Sequence, residues 1–188
     1  MLYGINNLGK STQARLLIQR LKEAGKTSEY IKYPLYAEDP SGIILNDYLR
    51  KGNPWGLTPR EAQIFYTFNR GQYASRLEEL LGRVDFVVAE DYWGTGVSWG
   101  TGAGVDFNFL MSINKFCLRE DLALIFRGSR FVESIEQGHT HESNSELVER
   151  VRQVHEHLAA EYGWKHVDAN ASIEQVSDQA WSHIKLVL

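Results

Sequence analysis

Gly4-Ile5-Asn6-Asn7-Leu8-Gly9-Lys10-Ser11 fits the pattern G-x-x-x-x-G-K-[ST] at every fixed position. The chemistry behind that pattern restricts the fold more than any other stretch of the chain. Backbone N–H groups from Asn6, Asn7, Leu8, Gly9, Lys10, Ser11 and Thr12 must converge on phosphate oxygens at the start of a helix, where the dipole favours negative charge. The glycines permit a close backbone approach that a side chain would block. Lys10 neutralises the transferable phosphate, and the Ser11 hydroxyl is suited to ligate Mg2+. The bound molecule is therefore expected to be a nucleotide with Mg2+. Loops of this kind hang off a buried strand, yet Met1-Leu2-Tyr3 offer only about 10 Å of strand. Either the start lies upstream or the central strand is unusually short. The expectation is that these three residues still form the end of a central strand, beside "FVVAE" and "ALIF".

The rest of the chain alternates strand-like and helix-like segments, as a parallel sheet covered by helices requires. "STQARLLIQRLKEAGK" has Leu16, Leu17 and Leu21 at helical spacing, with Gly25 as a stop. "EYIKYP" is a short strand ending at Pro34, and "SGIILNDYLRKG" a short helix closed by Gly52. Thr58, Pro59 and Glu61 supply an N-cap, a first-turn proline and a capping-box acid for a helix running to about Leu81. Its aromatic residues Phe65, Tyr66, Phe68 and Tyr73 point in different directions. "DFVVAEDY" is the clearest buried strand, ending in two acids, and the glycine-rich "WGTGVSWGTGAGVD" follows before a helix near 106–118. "DLALIF" is another buried strand. "SNSELVERVRQVHEHLAAEYG" is an amphipathic helix capped by Ser143 or Ser145, "KHVDA" the last strand and "SIEQVSDQAWSHIKLV" the closing helix. The expected fold is a three-layer α/β P-loop NTPase fold with about five parallel strands, the first of them shortened. Residues 1–188 form a single domain.

Composition narrows the function. A net charge of −4 argues against a general nucleic-acid binder, and no apolar run approaches the roughly 20 residues of a membrane helix. The start has no signal-peptide pattern. Cys117 is the sole cysteine, so no internal disulfide forms, and a reducing, cytoplasmic setting is expected. Its apolar surroundings mark it as a buried structural thiol. A guanine-binding switch protein needs Asn-Lys-x-Asp; Asn114-Lys115-Phe116-Cys117 lacks the aspartate and falls inside the predicted 106–118 helix. A motor or transporter ATPase is larger than this chain. A small-molecule kinase remains.

In segment order the chain resembles the thymidylate kinase family of nucleoside-monophosphate kinases. "YIKYPLYAEDPSGIILNDYLRKG" is similar to the family's second strand, proline loop and short helix; "AQIFYTFNRGQY" to its substrate helix; "VVAEDYWGTGVSWGTGAGVD" to its third-strand end and glycine-rich segment. "HESNSELVERVRQVHEHLA" resembles the helix after the lid, and "WKHVDANASIEQV" the C-terminal strand and helix. The resemblance implies transfer of the ATP γ-phosphoryl group to dTMP, giving dTDP and ADP, by a homodimer with small-molecule nucleotides as partners and neither nucleic acid nor membrane. It also implies an acceptor site containing Tyr33, Pro34, Tyr36, Asn69, Arg70, Tyr92 and Trp99. The residues support part of this independently. Arg70 can grip a monophosphate through charge-assisted hydrogen bonds, and Tyr66, one helical turn earlier, shares its face and can stack on a base.

Several residues depart from the family pattern. Where the family has Asp-Arg-Tyr at the end of strand three, this chain has Glu90-Asp91-Tyr92, which keeps a carboxylate but reverses the next charge. Glu90 and Asp91 join Ser11 as metal candidates, and Glu90 joins Lys10 as a catalytic one. Tyr36 replaces a frequent arginine, and Asn6-Asn7 replace an Asp-Gly centre. A lid is expected at about 127–143, with Arg127 and Arg130 as the cations that clamp the phosphates during transfer. His139, His141, His155 and His157 are expected to be solvated or lid histidines rather than a metal site. Glu90 with Asp91 keeps two alternatives open: a deoxynucleoside kinase, and a nucleotide-binding protein without kinase activity.

Overall fold

The computed structural model describes residues 1–129 and 145–188. Five parallel strands, β1 (Leu2–Tyr3), β2 (Ser28–Lys32), β3 (Phe86–Glu90), β4 (Leu124–Arg127) and β5 (Lys165–Asp168), form one sheet in the order β2-β3-β1-β4-β5. Parallel neighbours cannot be joined by tight hairpins, so each connection crosses over through helix. The helices are α1 (Lys10–Glu23), α2 (Ser41–Arg50), α3 (Pro59–Leu81), α4 (Trp93–Gly102), α5 (Phe107–Ile113), α6 (Ser145–Tyr162) and α7 (Ile173–Ile184). Strand periodicity of two sorts the core onto both faces. Leu2, Leu124 and Phe126 join Leu17, Val167 and Val176 on one side. Tyr3 and Ile125 join Ile31, Trp93 and Trp164 on the other.

The two residues of β1 do sit at the centre of the sheet. Leu2 pairs with both Glu90 and Leu124, and Tyr3 with Ile125. Below Leu2, between the starts of β3 and β4, lies a cavity of about 280 Å³ lined by Met1, Leu17, Phe86, Val88, Leu122 and Ile184 among others. The sheet thus keeps the strand–loop–helix geometry at its C-terminal edge, and the shortness of β1 appears as a void at the opposite end.

Thr58 caps α3 as expected, its hydroxyl accepting from the Glu61 N–H while the Glu61 carboxylate accepts from the Thr58 N–H. The glycine-rich segment differs from expectation: residues 93–102 are helical. Glycine disfavours a helix interior by about 1 kcal/mol, but here the missing side chains allow close packing. A Cβ on Gly94 would stand 2.6 Å from Trp164, on Gly100 2.7 Å from Leu110 and on Gly102 2.7 Å from Val151. The next helix, capped by Asp106, is shorter than predicted and stops at Ile113. Asn114-Lys115-Phe116-Cys117 therefore follows that helix in a turn instead of lying within it. Cys117 is buried as a free thiol. Among the described residues no helix is long and apolar enough to cross a membrane.

Candidate active site

Chain passes from β1 straight into the glycine loop. Gly4 has φ +129, and a Cβ there would stand 2.7 Å from the Phe126 carbonyl oxygen, so only glycine fits against β4. Gly9, in the left-handed region at φ 77, precedes α1, whose first turn carries no acidic residue and no side-chain cap. Its first N–H groups are therefore directed at whatever anion the loop holds. The Leu8 side chain is buried in the core, so its backbone alone faces the loop; Thr12 is exposed. Lys10 is buried and folds back over the loop. Its Nζ donates to the Gly4 carbonyl at 3.0 Å and the Ile5 carbonyl at 2.8 Å, and lies 3.5 Å from Asp91 Oδ1.

The end of β3 faces this loop. Glu90 is fully buried, and Ser11 Oγ donates to its Oε2 at 3.0 Å. The Tyr30 hydroxyl donates to Oε1 in a short contact. Lys32 Nζ lies 3.5 Å from Oε2 and donates to Ser11 Oγ at 2.8 Å. Asp91 adopts φ 59, a left-handed conformation that aspartate tolerates better than most residues. That turn points its carboxylate at Lys10, with the Thr95 hydroxyl 3.4 Å away. Burial pushes the Asp91 carboxyl above its ordinary pKa, opposed by the Lys10 charge. Ser11 and Glu90 supply two hard oxygen donors beside a phosphate loop. A Mg2+ ion that takes its other ligands from phosphate and water fits such a pair. Among the described residues no group of three or more histidine, cysteine or carboxylate side chains forms a closed metal site.

On the other side of the cleft, α3 carries Asn69 and Arg70, both buried. Asn69 holds the proline loop: its Oδ1 accepts from the Leu35 N–H at 2.7 Å, and its Nδ2 donates to the Leu35 carbonyl at 2.9 Å and Ser41 Oγ at 2.8 Å. It thereby braces the loop that carries Tyr33 and Pro34, whose peptide bond is cis. Arg70 is 2% exposed and has only neutral partners among the described residues. Nε donates to Asn114 Oδ1 at 3.0 Å and Nη2 to Thr67 Oγ1 at 3.3 Å. Burial lowers its pKa, and Cys117, Tyr92, Tyr3 and Tyr33 are the groups whose negative forms oppose that shift. A guanidinium buried without an anion is costly.

Tyr33 and Tyr92 pack with ring centroids 4.8 Å apart beside this arginine. Tyr66 packs on Tyr48, Leu49 and Ala62, with Tyr36, Arg50 and Arg70 in its electrostatic neighbourhood. Tyr36 is 38% exposed beneath the Arg50 guanidinium, 4.8 Å from its ring centroid. Phe68, in contrast, faces outward, 46% exposed. Trp99 is buried in the hydrophobic cluster that includes Val148 and Val151.

Of the lid, only residues 127–129 are described. Arg127, at the end of β4, pairs with Glu156 of α6. Arg130, His139, His141 and Ser143 lie outside the described residues. His155 is not solvated as expected but buried, neither ring nitrogen having a side-chain partner among the described residues, and burial pushes its pKa down to about 3. Its neighbour in the sequence pattern, His157, lies on the surface 3.5 Å from Glu161. Sequence reasoning missed Tyr30 and Lys32. Their signal was the alternation in "EYIKYP", which puts residues 30 and 32 on one face of β2, and Lys32 pairs with Glu90 in the ladder.

A loop for a polyphosphate leaves the carboxyl end of β1, and a separate buried guanidinium lies close to Gly96, a few residues past the end of β3. That combination defines a P-loop phosphotransferase. Within that class the chain belongs to the thymidylate kinase family, whose family model, described as thymidylate kinase, matches residues 2–180. It is 26% identical over 181 residues to the thymidylate kinase of Dictyostelium discoideum, covering 94% of this chain and 79% of that protein. With the Homo sapiens thymidylate kinase it is 26% identical over 189 residues, covering 95% and 85%. A solved thymidylate kinase structure from Candida albicans shares the fold, with a TM-score of 0.80, 22% identity and coverage of 98% of this chain and 89% of that one.

Proposed function

We propose that the enzyme transfers the γ-phosphoryl group of ATP to dTMP, giving dTDP and ADP. Family membership supports the reaction, and one structural observation supports the acceptor: Arg70 is buried with no carboxylate partner among the described residues. A nucleoside acceptor brings no phosphate to that guanidinium, which disfavours a deoxynucleoside kinase. ATP binds the Gly4–Thr12 loop through backbone N–H groups. Lys10 exchanges its carbonyl partners for phosphate oxygens and stabilises the charge that develops during transfer. Arg70 grips the dTMP phosphate, while Tyr33, Pro34, Tyr36, Tyr66, Tyr92 and Trp99 build the walls around the nucleoside and Asn69 fixes the proline loop. Ser11 and Glu90, with Asp91 nearby, would hold Mg2+, which when bound draws the phosphate oxygens together and offsets their charge. The chain acts as one kinase domain whose lid, at about 127–143, brings Arg127 and Arg130 to the phosphates. A cytoplasmic setting agrees with the single free thiol. Ile64 and Phe68, one turn apart on α3 and 47% and 46% exposed, offer an apolar strip for a second copy in a homodimer.

A coupled ADP-release assay with dTMP, dUMP and thymidine as acceptors tests the reading. Turnover on dTMP is expected. Turnover on thymidine alone, or tight ATP and dTMP binding without dTDP at any Mg2+ concentration, refutes it.

A further inference from the structure

Glu90 is a completely buried carboxylate whose two oxygens have different partners. Oε1 receives the Tyr30 hydroxyl, which is neutral, and burial together with the Glu90 contact raises the Tyr30 pKa. Oε2 receives the Ser11 hydroxyl at 3.0 Å, also neutral. The counter-charge comes from Lys32, whose Nζ stands 3.5 Å from Oε2 and 2.8 Å from Ser11 Oγ. An ammonium thus completes a triangle with two oxygens, one hydroxyl and one carboxylate, that have the chemistry of a divalent-cation site. The Lys32 side chain is 51% exposed, which leaves its ammonium a route into solvent. Its backbone is fixed in the ladder directly opposite Glu90.

We propose that Lys32 is a tethered stand-in cation: in the ligand-free enzyme its ammonium occupies the Ser11–Glu90 oxygen pair, and a divalent cation arriving with nucleotide displaces it. The inference rests on the reading of Ser11 and Glu90 as the Mg2+ pair. The device solves a folding problem. A buried carboxylate aimed at an absent metal is strongly destabilising, and Lys32 neutralises it until the metal arrives. The cost appears in binding, because metal affinity is reduced by the work of removing the lysine. Lys32 is a positioning residue in this scheme, acting on metal affinity and not on the transferred group.

Two measurements decide the matter, both on the intact chain. Mn2+ binding is measured by electron paramagnetic resonance in the presence of saturating ADP, for the wild type, Lys32→Met, Lys32→Arg and Ser11→Ala. Lys32→Met is expected to tighten Mn2+ by roughly five- to tenfold, Lys32→Arg to stay near wild type and Ser11→Ala to weaken binding. Unchanged or weaker Mn2+ binding in Lys32→Met, with Ser11→Ala still weakened, overturns the stand-in role and leaves the metal pair intact. Ser11→Ala without effect overturns the metal pair, and the stand-in role with it. Charge repulsion without occupancy would also tighten the metal, so the ammonium is observed directly by lysine 15N spectroscopy. A slowly exchanging resonance, identified by its loss in Lys32→Arg, is expected in the free enzyme and should vanish on adding Mg2+ and ADP. A Lys32 ammonium that exchanges freely before any ligand is added refutes the proposal. Thermal melts of each variant show that it is folded.

Discussion

Replacing Arg70 with methionine separates binding from stability more sharply than any other change in this site. The guanidinium is 2% exposed and donates to two neutral oxygens, Asn114 Oδ1 at 3.0 Å and Thr67 Oγ1 at 3.3 Å. If it grips the acceptor phosphate in two charge-assisted bonds of about 1.5–3 kcal/mol each, its loss removes about 3–6 kcal/mol. That corresponds to a 10²- to 10⁴-fold weaker dTMP affinity, at about 1.4 kcal/mol per tenfold. Stability moves differently. Exchanging buried charge for an apolar group of similar volume gains about 1–4 kcal/mol, while stranding Asn114 Oδ1 returns about 1–3 kcal/mol. The balance runs from a loss of about 2 kcal/mol to a gain of about 3 kcal/mol, so Tm should stay within roughly 10 °C of wild type, at about 2–4 °C per kcal/mol for a chain of this size. Calorimetric titration with dTMP and a thermal melt test the pair of expectations. Affinity within threefold of wild type refutes the phosphate assignment. A variant that melts more than about 10 °C lower refutes the claim that this arginine is maintained against the stability of the fold.

Gly96→Ala places a Cβ 2.9 Å from Arg70 Nη2 and should raise the dTMP KM at least tenfold while leaving ATP affinity unchanged, as steady-state kinetics and nucleotide titration would show. Tyr30→Phe leaves Glu90 Oε1 without its donor; a loss of about 1–3 kcal/mol in urea unfolding is expected, together with a lower kcat. His155 carries a pH signature. Its folded pKa is depressed to about 3 from the ordinary 6.5, so the unfolded chain binds the extra proton between those values. Its contribution is complete above pH 6.5 and is lost as pH falls toward 3, with a slope of up to about 1.4 kcal/mol per pH unit. His155→Leu should flatten urea-measured stability between pH 6.5 and 5, and an unchanged slope contradicts the assignment.

The phosphate loop, the order of strands and helices and the capping box of α3 were legible because each is written in a local pattern: fixed glycines, period-two and period-3.6 hydrophobicity, and Thr58-Pro59 before Glu61. What escaped depended on contacts between distant segments. The glycines of residues 94–102 read as a helix-poor stretch, since their reason lies in Trp164, Leu110 and Val151, which the chain brings beside them only on folding. His155 read as solvated because histidine is usually exposed or half-exposed, although it stands four residues after Val151 and three before Leu158, on the apolar side of α6 that packs against α4. Asn69 also braces the proline loop, a role that only the Leu35 and Ser41 hydrogen bonds reveal. Lys32 and Tyr30 were hidden for a related reason. A charged and an aromatic residue alternating on a strand look like an ordinary surface, and their meaning depends on Glu90, 58 residues after Lys32 in the chain.

Glu90-Asp91 seemed the least suitable pair in the sequence for an anion-binding cleft, and the arrangement of cations explains why it is tolerated. Each carboxylate faces its own lysine: Asp91 lies 3.5 Å from Lys10 and Glu90 3.5 Å from Lys32. The left-handed turn at Asp91 is what produces this division, since it sends two consecutive side chains to different partners. The donor half of the site is therefore close to neutral in its described groups, and in the proposed reaction nucleotide entry is an exchange of partners: Lys10 passes from carbonyl and carboxylate oxygen to phosphate, while Lys32 yields the Ser11–Glu90 pair to the divalent cation. The acceptor half follows the opposite rule. Among the described residues Arg70 has no carboxylate to release, so in the proposed reaction a monophosphate would meet a desolvated cation without displacing a competitor. The charge reversal at Asp91 that sets this chain apart in sequence thus falls on the side where Lys10 can absorb it, and Arg70, the proposed grip on a phosphorylated acceptor, is left free of it.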